Sequence, residues 1–382
     1  MAAFALVAVS EGTAGGQSAA PRQTVNVRVS DDDLAPARAY TSPIIAIHPL
    51  RPNVIVAAAA DLRSRGCRLF RSMDTGHTWT LLDAPATTKE FPYCTTDSGN
   101  ATQSPTAFGR NGTLYYAMQA WGGQEQTGCD ACGVAGNMSV ILARSDDLGD
   151  SYTVTVVRDA RQFTGTEVER NRPLTAVAVD RTTGDQDIVY VGWRRDYPRK
   201  QVTAGPVIAV SMDGGRTFGD PVNPLKSYIP EAPEFRSFKP DVVVADNGTL
   251  YLQMAADRPG DEPTRPVLAR STDHGATFTV AEVGPASRYF PQHGLAWSPL
   301  GGPEGTLHSV VEDKVDPRPA AGDRDILYRR STDGGRTFSE AIKLNDDDVA
   351  QGYLQLLPAV SAAPNGRVDA AWWDFRNDPG LS

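Results

Sequence analysis

Arginines, carboxylates and large aromatics gather at two kinds of place in this chain: shortly before apolar runs marked by a proline, and at the ends of the apolar runs that follow. Arg172, Glu234, Arg236 and Tyr353 stand at the first kind of place; Asp61, Arg63, Trp193, Arg194, Trp373, Asp374 and Arg376 stand at the second. Side chains of these types can hold an anionic or sugar ligand. A guanidinium forks a carboxylate through parallel N–H donors, an aromatic ring stacks on a sugar face, and carboxylates do acid or base work at a glycosidic bond. Tyr353, Glu234 and Asp61 are the candidates for chemistry. Arg63, Arg172, Arg194, Arg236, Trp193, Trp373, Asp374 and Arg376 are the candidates for binding. Asp61/Arg63, Asp257/Arg258 and Asp374/Arg376 also admit a framework reading, as ion pairs tying repeats together, because a recurring pair suits a scaffold.

The elements that must position these residues are set by an octet that occurs five times, as Ser-x-Asp-x-Gly-x-(Thr/Ser)-aromatic. Its aspartates are Asp74, Asp147, Asp213, Asp273 and Asp333, spaced 73, 66, 60 and 60 residues apart. The Asp side chain can accept backbone N–H groups inside a turn, and Gly takes a left-handed conformation at little steric cost. Apolar runs such as Val267-Leu268-Ala269 and Ile326-Leu327-Tyr328 precede the octets. Each octet therefore reads as the turn between two antiparallel strands.

A second repeat lies upstream of each octet. Prolines at 43, 105, 173, 240, 291 and 358 open apolar runs, and three of the following turns contain Asn-Gly, at Asn111-Gly112, Asn247-Gly248 and Asn365-Gly366. Proline suits the first residue of a strand, and Asn-Gly suits a tight hairpin. The sequons at Asn111 and Asn247 read as turns on this basis. One unit is then strand, hairpin, strand, strand, octet, strand. Six starts predict an all-β six-bladed propeller of four-stranded antiparallel blades. The sixth blade is incomplete, with Thr24–Val29 as a candidate outer strand closing it. Octet turns occupy one face of such a ring, so the chemistry-bearing residues must crowd the opposite face, around the mouth of the channel.

The octet resembles the Asp-box, or bacterial neuraminidase repeat, of sialidases and related propellers. The resemblance covers the chain from Tyr40 onward and implies an active face opposite the Asp-boxes. It also implies three arginines on a substrate carboxylate, a tyrosine nucleophile assisted by glutamate, and an aspartate acid/base. Ala60-Asp61-Leu62-Arg63 matches the family's Ala-Asp-x-Arg; Glu234 and Arg236 open the fourth blade and Tyr353 the sixth, where the family keeps its glutamate and tyrosine. Thr41 stands where the family's first motif arginine would be, and Ser64-Arg65-Gly66 replaces the longer loop that carries its acid. The expectation is a sialidase-like propeller recognising a glycan or another extracellular ligand. The alternatives are a divergent exo-α-sialidase or other retaining glycoside hydrolase, with Arg172, Arg194 and Arg236 as its clamp, and a protein-interaction scaffold.

A formal charge of −9 over 382 residues leaves no basic field for nucleic acid. No apolar run approaches the length of a membrane span. Residues 1–23 are small, apolar and then polar, like the latter part of a secretory signal followed by a flexible stretch, which leaves 24–382 as one domain, expected to be secreted and monomeric. Four cysteines, Cys67, Cys94, Cys129 and Cys132, suit two disulfides, of which Cys67–Cys94 and Cys129–Cys132 is the simplest pairing. Cys129-x-x-Cys132 has no second ligand pair at zinc spacing, so neither metal nor cofactor is expected.

Overall fold

The structure, a computed structural model, describes residues 3–9, 27–29, 40–61, 66–83, 91, 93–95, 105–121, 138–163, 170–197, 202–228, 237–258, 261–287, 292–313, 324–347 and 353–376. Among these residues the regular structure is antiparallel strand, apart from one 3-10 turn at Ala160–Gln162.

Every octet forms the turn its spacing predicts. In the last copy Ser331 Oγ donates to Asp333 Oδ1 at 2.7 Å and accepts the Gly335 N–H at 2.9 Å. Asp333 in turn accepts the N–H of Thr337 at 3.0 Å and its hydroxyl at 2.6 Å. The other four copies make the same four bonds. Gly335 is required twice over. Its φ is +80°, and a Cβ there would collide with Leu268 of the preceding blade. Hydrogen bonds from Thr78, Ser151 and Thr277 hold the carboxyls of Asp74, Asp147 and Asp273 at a pKa of about 2. At Asp213 and Asp333 burial pushes the other way, and bonds from Thr217 and Thr337 overcome it to give about 2 as well.

Strand β1 (Ala3–Val9) belongs to the last sheet. Blade 1 is β2 (Tyr40–Ile47), β3 (Ile55–Asp61), β4 (Gly66–Ser72) and β5 (Thr80–Leu81). Blade 2 is β6 (Tyr93–Thr95), β7 (Thr106–Phe108), β8 (Leu114–Trp121), β9 (Ser139–Ser145) and β10 (Thr153–Arg158), with β6 and β7 both paired to β8. Blade 3 is β11 (Arg170–Asp180), β12 (Ile188–Tyr197) and β13 (Val202–Ser211), extended by a bridge from Ile208 to Val222. Blade 4 is β14 (Ser237–Val244), β15 (Leu250–Arg258), β16 (Asp261–Ser271) and β17 (Thr279–Glu282). Blade 5 is β18 (His293–Ser298), β19 (Thr306–Asp313), β20 (Asp325–Ser331) and β21 (Ile342–Lys343). Strands β22 (Gln355–Ala362) and β23 (Val368–Asp374) form the terminal sheet with β1.

The architecture is thus a β-propeller of five blades, not six, followed by a three-stranded sheet. In place of the expected sixth four-stranded blade stands a sheet of order β1-β23-β22. The strand on the far edge of β23 is Ala3–Val9, registered from Ala3 opposite Asp374 to Val9 opposite Val368. That stretch was expected to be signal-like, and Thr24–Val29 was expected to pair in its place; Val27–Val29 form no strand. A small apolar run suits a β-edge as well as it suits a leader.

Pro105 opens β7 as expected, but four other prolines do not stand at a strand start. Pro43, Pro173, Pro240 and Pro358 lie inside β2, β11, β14 and β22, where the ladder skips register, so a bulge rather than a strand start absorbs the missing N–H.

Cores lie between neighbouring sheets. Blades 1 and 2 enclose Val56, Leu69, Phe91, Leu114 and Tyr116; blades 2 and 3 enclose Tyr115, Leu142, Val177, Val191 and Trp193. Successive seams follow the same plan to the terminal sheet, which covers Ile326 and Tyr328 with Val368 and Trp372. Each fully buried side chain of this size contributes about 1.5–3 kcal/mol of transfer energy, so these seams hold the ring. Four closing aromatics, Tyr152, Phe218, Phe278 and Phe338, pack into them. Cys67 of β4 and Cys94 of β6 form a disulfide, Cα to Cα 5.8 Å, which links blades 1 and 2 as the sequence suggests. Cys129 and Cys132 lie outside the described residues.

Candidate ligand-binding face

Hairpin turns and octet turns share one face. Asn53 holds Met73 and Thr75, Thr113 holds Asp146, the Gly214 N–H donates to Asp187 O, and Arg336 pairs with Glu304. Side-chain ties then run from blade to blade on the same face: Arg71 to Asp150, Arg110 to Gly184, and Arg270 to Glu304. A shallow cleft lined by Arg144, Thr155, Gly215 and Arg216 opens on this turn side, away from the strand ends that carry the candidate residues.

The strand ends of the opposite face hold those of the selected residues that are described: Asp61, Trp193, Arg194, Tyr353, Trp373, Asp374 and Arg376. Its best-defined corner is where blade 5 meets the terminal sheet. Glu312, at the end of β19, is 1 % exposed; it pairs with Arg324 and accepts the Leu357 N–H at 3.2 Å. Burial raises the Glu312 pKa, and the Arg324 guanidinium opposes that rise. The backbone N–H of Arg324 donates to the backbone carbonyl of Tyr353 at 3.2 Å, so the Tyr353 backbone stands at the same corner. Leu357 holds a φ of +54°, uncommon for a branched side chain, where it turns its N–H to the carboxylate. Behind this corner Asp325 accepts Lys343 Nζ at 3.0 Å and Asn345 Nδ2 at 2.8 Å.

Asp374 is buried, accepts Gln355 Nε2 at 3.1 Å and pairs with Arg376 Nε at 2.6 Å; Arg376 also reaches Asp346 at 2.6 Å. Burial weakens the Arg376 charge, but its two carboxylate partners raise its pKa above the usual arginine value. Asp374 and Arg376 therefore follow the framework reading. Trp373 is 40 % exposed, with its ring centroid 6.1 Å from that of Phe375. It can offer a ring face to a ligand. Arg194 is half-buried on β12, and the ladder sets it opposite Arg172.

Two candidates change role. Asp61 is 3 % exposed and pairs with Arg68 Nε at 3.3 Å, so it is a buried anchor of β3 to β4 rather than a poised acid. Trp193 is fully buried between blades 2 and 3 and packs as core instead of stacking on a ligand. Arg63, Glu234 and Arg236 lie outside the described residues, as does the side chain of Arg172. Sequence reasoning passed over Arg324, Lys343 and Gln355. Asp313 and Asp325, opposite each other at the top of β19 and β20, could have signalled that cations were needed nearby.

No protein-family model matches the chain, and no curated protein does so. Among solved structures, a protein of unknown function from Dyadobacter fermentans is similar with a TM-score of 0.53 and 16 % identity, over 88 % of this chain and 95 % of that one. The α-L-arabinofuranosidase of Fusarium graminearum in complex with arabinobiose gives 0.51 and 12 %, over 87 % and 92 %. The α-L-arabinanase of Penicillium chrysogenum complexed with arabinobiose gives 0.50 and 15 %, over 89 % and 94 %. At this identity the similarity shows the fold, and the fold is that of β-propellers among which glycoside hydrolases are well represented.

Proposed function

We propose that this chain is a glycan-binding propeller whose ligand sits on the face opposite the octet turns. One observation carries the reading: Arg194, Tyr353, Trp373 and the Glu312–Arg324 pair stand at strand ends on that face, away from the ties that run between blades on the turn face. Structural neighbours bound to arabinobiose make arabinan fragments the first ligands to try. The octets are read as Asp-boxes on this account, and the disulfide favours an exported protein, since such bonds persist in oxidising compartments. A glycan array bearing arabinan oligosaccharides, sialosides and uronate-containing chains is the test. A defined hit weakened at least tenfold by Trp373→Ala or Arg194→Ala is expected. No hit, or one indifferent to both changes, refutes the proposal.

A second reading, a glycoside hydrolase, is favoured by the corner where Arg324 pairs its guanidinium with Glu312 and its backbone N–H with the Tyr353 carbonyl, because a buried carboxyl and a tyrosine brought to one corner are the groups that could move protons at a glycosidic bond. It predicts release of sugar from linear arabinan or from a sialoside, lost in Glu312→Gln and in Tyr353→Phe.

A further inference from the structure

The seam between blades 4 and 5 departs from the repeat at three positions. Two residues before the octet serine, the first four blades carry Phe70, Ala143, Ala209 and Ala269, all apolar, the three alanines facing the preceding sheet; blade 5 carries Arg329. Opposite that position on the neighbouring strand the first four blades carry Ala57, Tyr116, Val191 and Leu252; blade 5 carries Ser309. Across the seam, where the other blades have Ala58, Ala117, Gly192 and Val310, blade 4 carries Gln253.

All three are buried. Arg329 is 8 % exposed, and Ser309 and Gln253 are 0 % exposed. The Ser309 hydroxyl and both polar atoms of the Gln253 amide have no hydrogen-bond partner among the described residues. The Arg329 guanidinium makes no hydrogen bond or ion pair among the described residues. Asp313 and Glu340 are close enough only to support its charge against burial, which lowers its pKa. Room for the guanidinium comes from Gly284 of blade 4, where a Cβ would lie 2.9 Å from Cζ and Nη1. Gly284 has an ordinary negative-side backbone, so the turn does not demand glycine there. A scaffold gains nothing from a buried cation without a partner; such a group is costly unless something pairs with it.

We propose that the seam between blades 4 and 5 is a binding site for a small oxyanion, held by Arg329 with Ser309 and Gln253 on the seam walls. Five N–H donors in a planar fork, with a hydroxyl and an amide on the same seam, match carboxylate, phosphate or sulfate oxygens. The ligand is either a free inorganic anion or the carboxylate of a sugar acid. This site lies between blades and does not depend on the ligand proposed for the strand-end face.

The test is thermal melting of the full chain at fixed ionic strength, titrating sodium sulfate, sodium phosphate or sodium glucuronate against sodium chloride. A saturable rise with an oxyanion is expected for the native chain. A rise with sulfate or phosphate identifies a free anion, and a rise with glucuronate alone identifies a sugar acid. Arg329→Ala installs the residue that three other blades carry, so it should fold, melt at or above the native temperature without anion, and lose the saturable rise. Gly284→Ala crowds the guanidinium and should weaken the half-saturating concentration at least tenfold with the fold intact. An Arg329→Ala chain that keeps the rise, or a native chain indifferent to all three anions, overturns the proposal, as does a crystal structure grown in sulfate that shows only water at the guanidinium.

Discussion

The seam between blades 2 and 3 and the seam between blades 4 and 5 share one strand register and are filled differently. The first buries Val177, Val191, Val207, Leu142 and Trp193, with Gln119 and the hydroxyl-bearing Tyr115 among them, and its Thr175 hydroxyl donates to Ala117 O at 3.2 Å. The equivalent bond in the second is made by His293 Nε2 to Gln253 O at 3.0 Å, and around it stand Asp241, Gln253, Ser309 and Arg329. A repeat can therefore keep its backbone and its inter-blade bond while exchanging its filling. The filling that breaks the pattern marks where stability has been given up, and such positions collect at sites with another use.

If the first seam is held mainly by apolar packing, cutting it should cost most. Trp193→Ala is expected to lower unfolding free energy by about 3–5 kcal/mol, read from denaturant midpoints, because a large cavity opens in a core that cannot collapse. A loss below about 1 kcal/mol would mean that the ring does not depend on that seam.

Acid sharpens the contrast from the other side of blade 5. His308 is buried, bonded to Ser298 Oγ at 2.9 Å and to Tyr328 OH at 2.8 Å, and burial lowers its pKa to about 4. An unfolded histidine takes its proton near pH 6.5, so this contribution is complete above that value and is lost as pH falls towards 4. At 1.36 kcal/mol per unit it amounts to about 3 kcal/mol at most. Stability measured from pH 7 to 4 should fall in the native chain and fall less in His308→Gln.

Gln253→Leu should be neutral or stabilising by about 1–2 kcal/mol, since it removes two unsatisfied polar atoms from a buried site. A clear destabilisation would show that the amide has a partner in solution. The smallest effect is expected on the turn face. Asp333→Ala removes bonds to Ser331 and Thr337 in a partly exposed turn and should cost about 1 kcal/mol. The octet aspartates, with folded pKa values of about 2 against about 3.9 for unfolded chain, support the fold above pH 4 and release that support as pH falls towards 2.

How much of this was legible depended on whether local chemistry determined the outcome. The octets were, because Ser, Asp, Gly and Thr close one turn among themselves, and their copies revealed the repeat, the shared turn face and the opposite strand-end face. Cys67–Cys94 was legible for a related reason, since few pairings were open. The Arg329 substitution was not. In Ile326-Leu327-Tyr328-Arg329-Arg330 two arginines close an apolar run, and only the ladder shows that the first faces blade 4 while the second is exposed. Trp193 and Asp61 failed as site residues for the same reason: a strand end read in one dimension does not say how far the neighbouring blade reaches over it. Ala3–Val9 could not be placed because an apolar run of that length fits a strand edge and a leader alike.

The central claim is that ligand binds on the strand-end face and not on the face of the turns. Hydrogen–deuterium exchange on the full chain, with and without the glycan identified by the array, tests it directly. The account predicts slower exchange in residues 353–357, 374–376 and 193–197, with 271–278 and 331–338 unchanged. Protection of the octet turns with no change at the strand ends would contradict it.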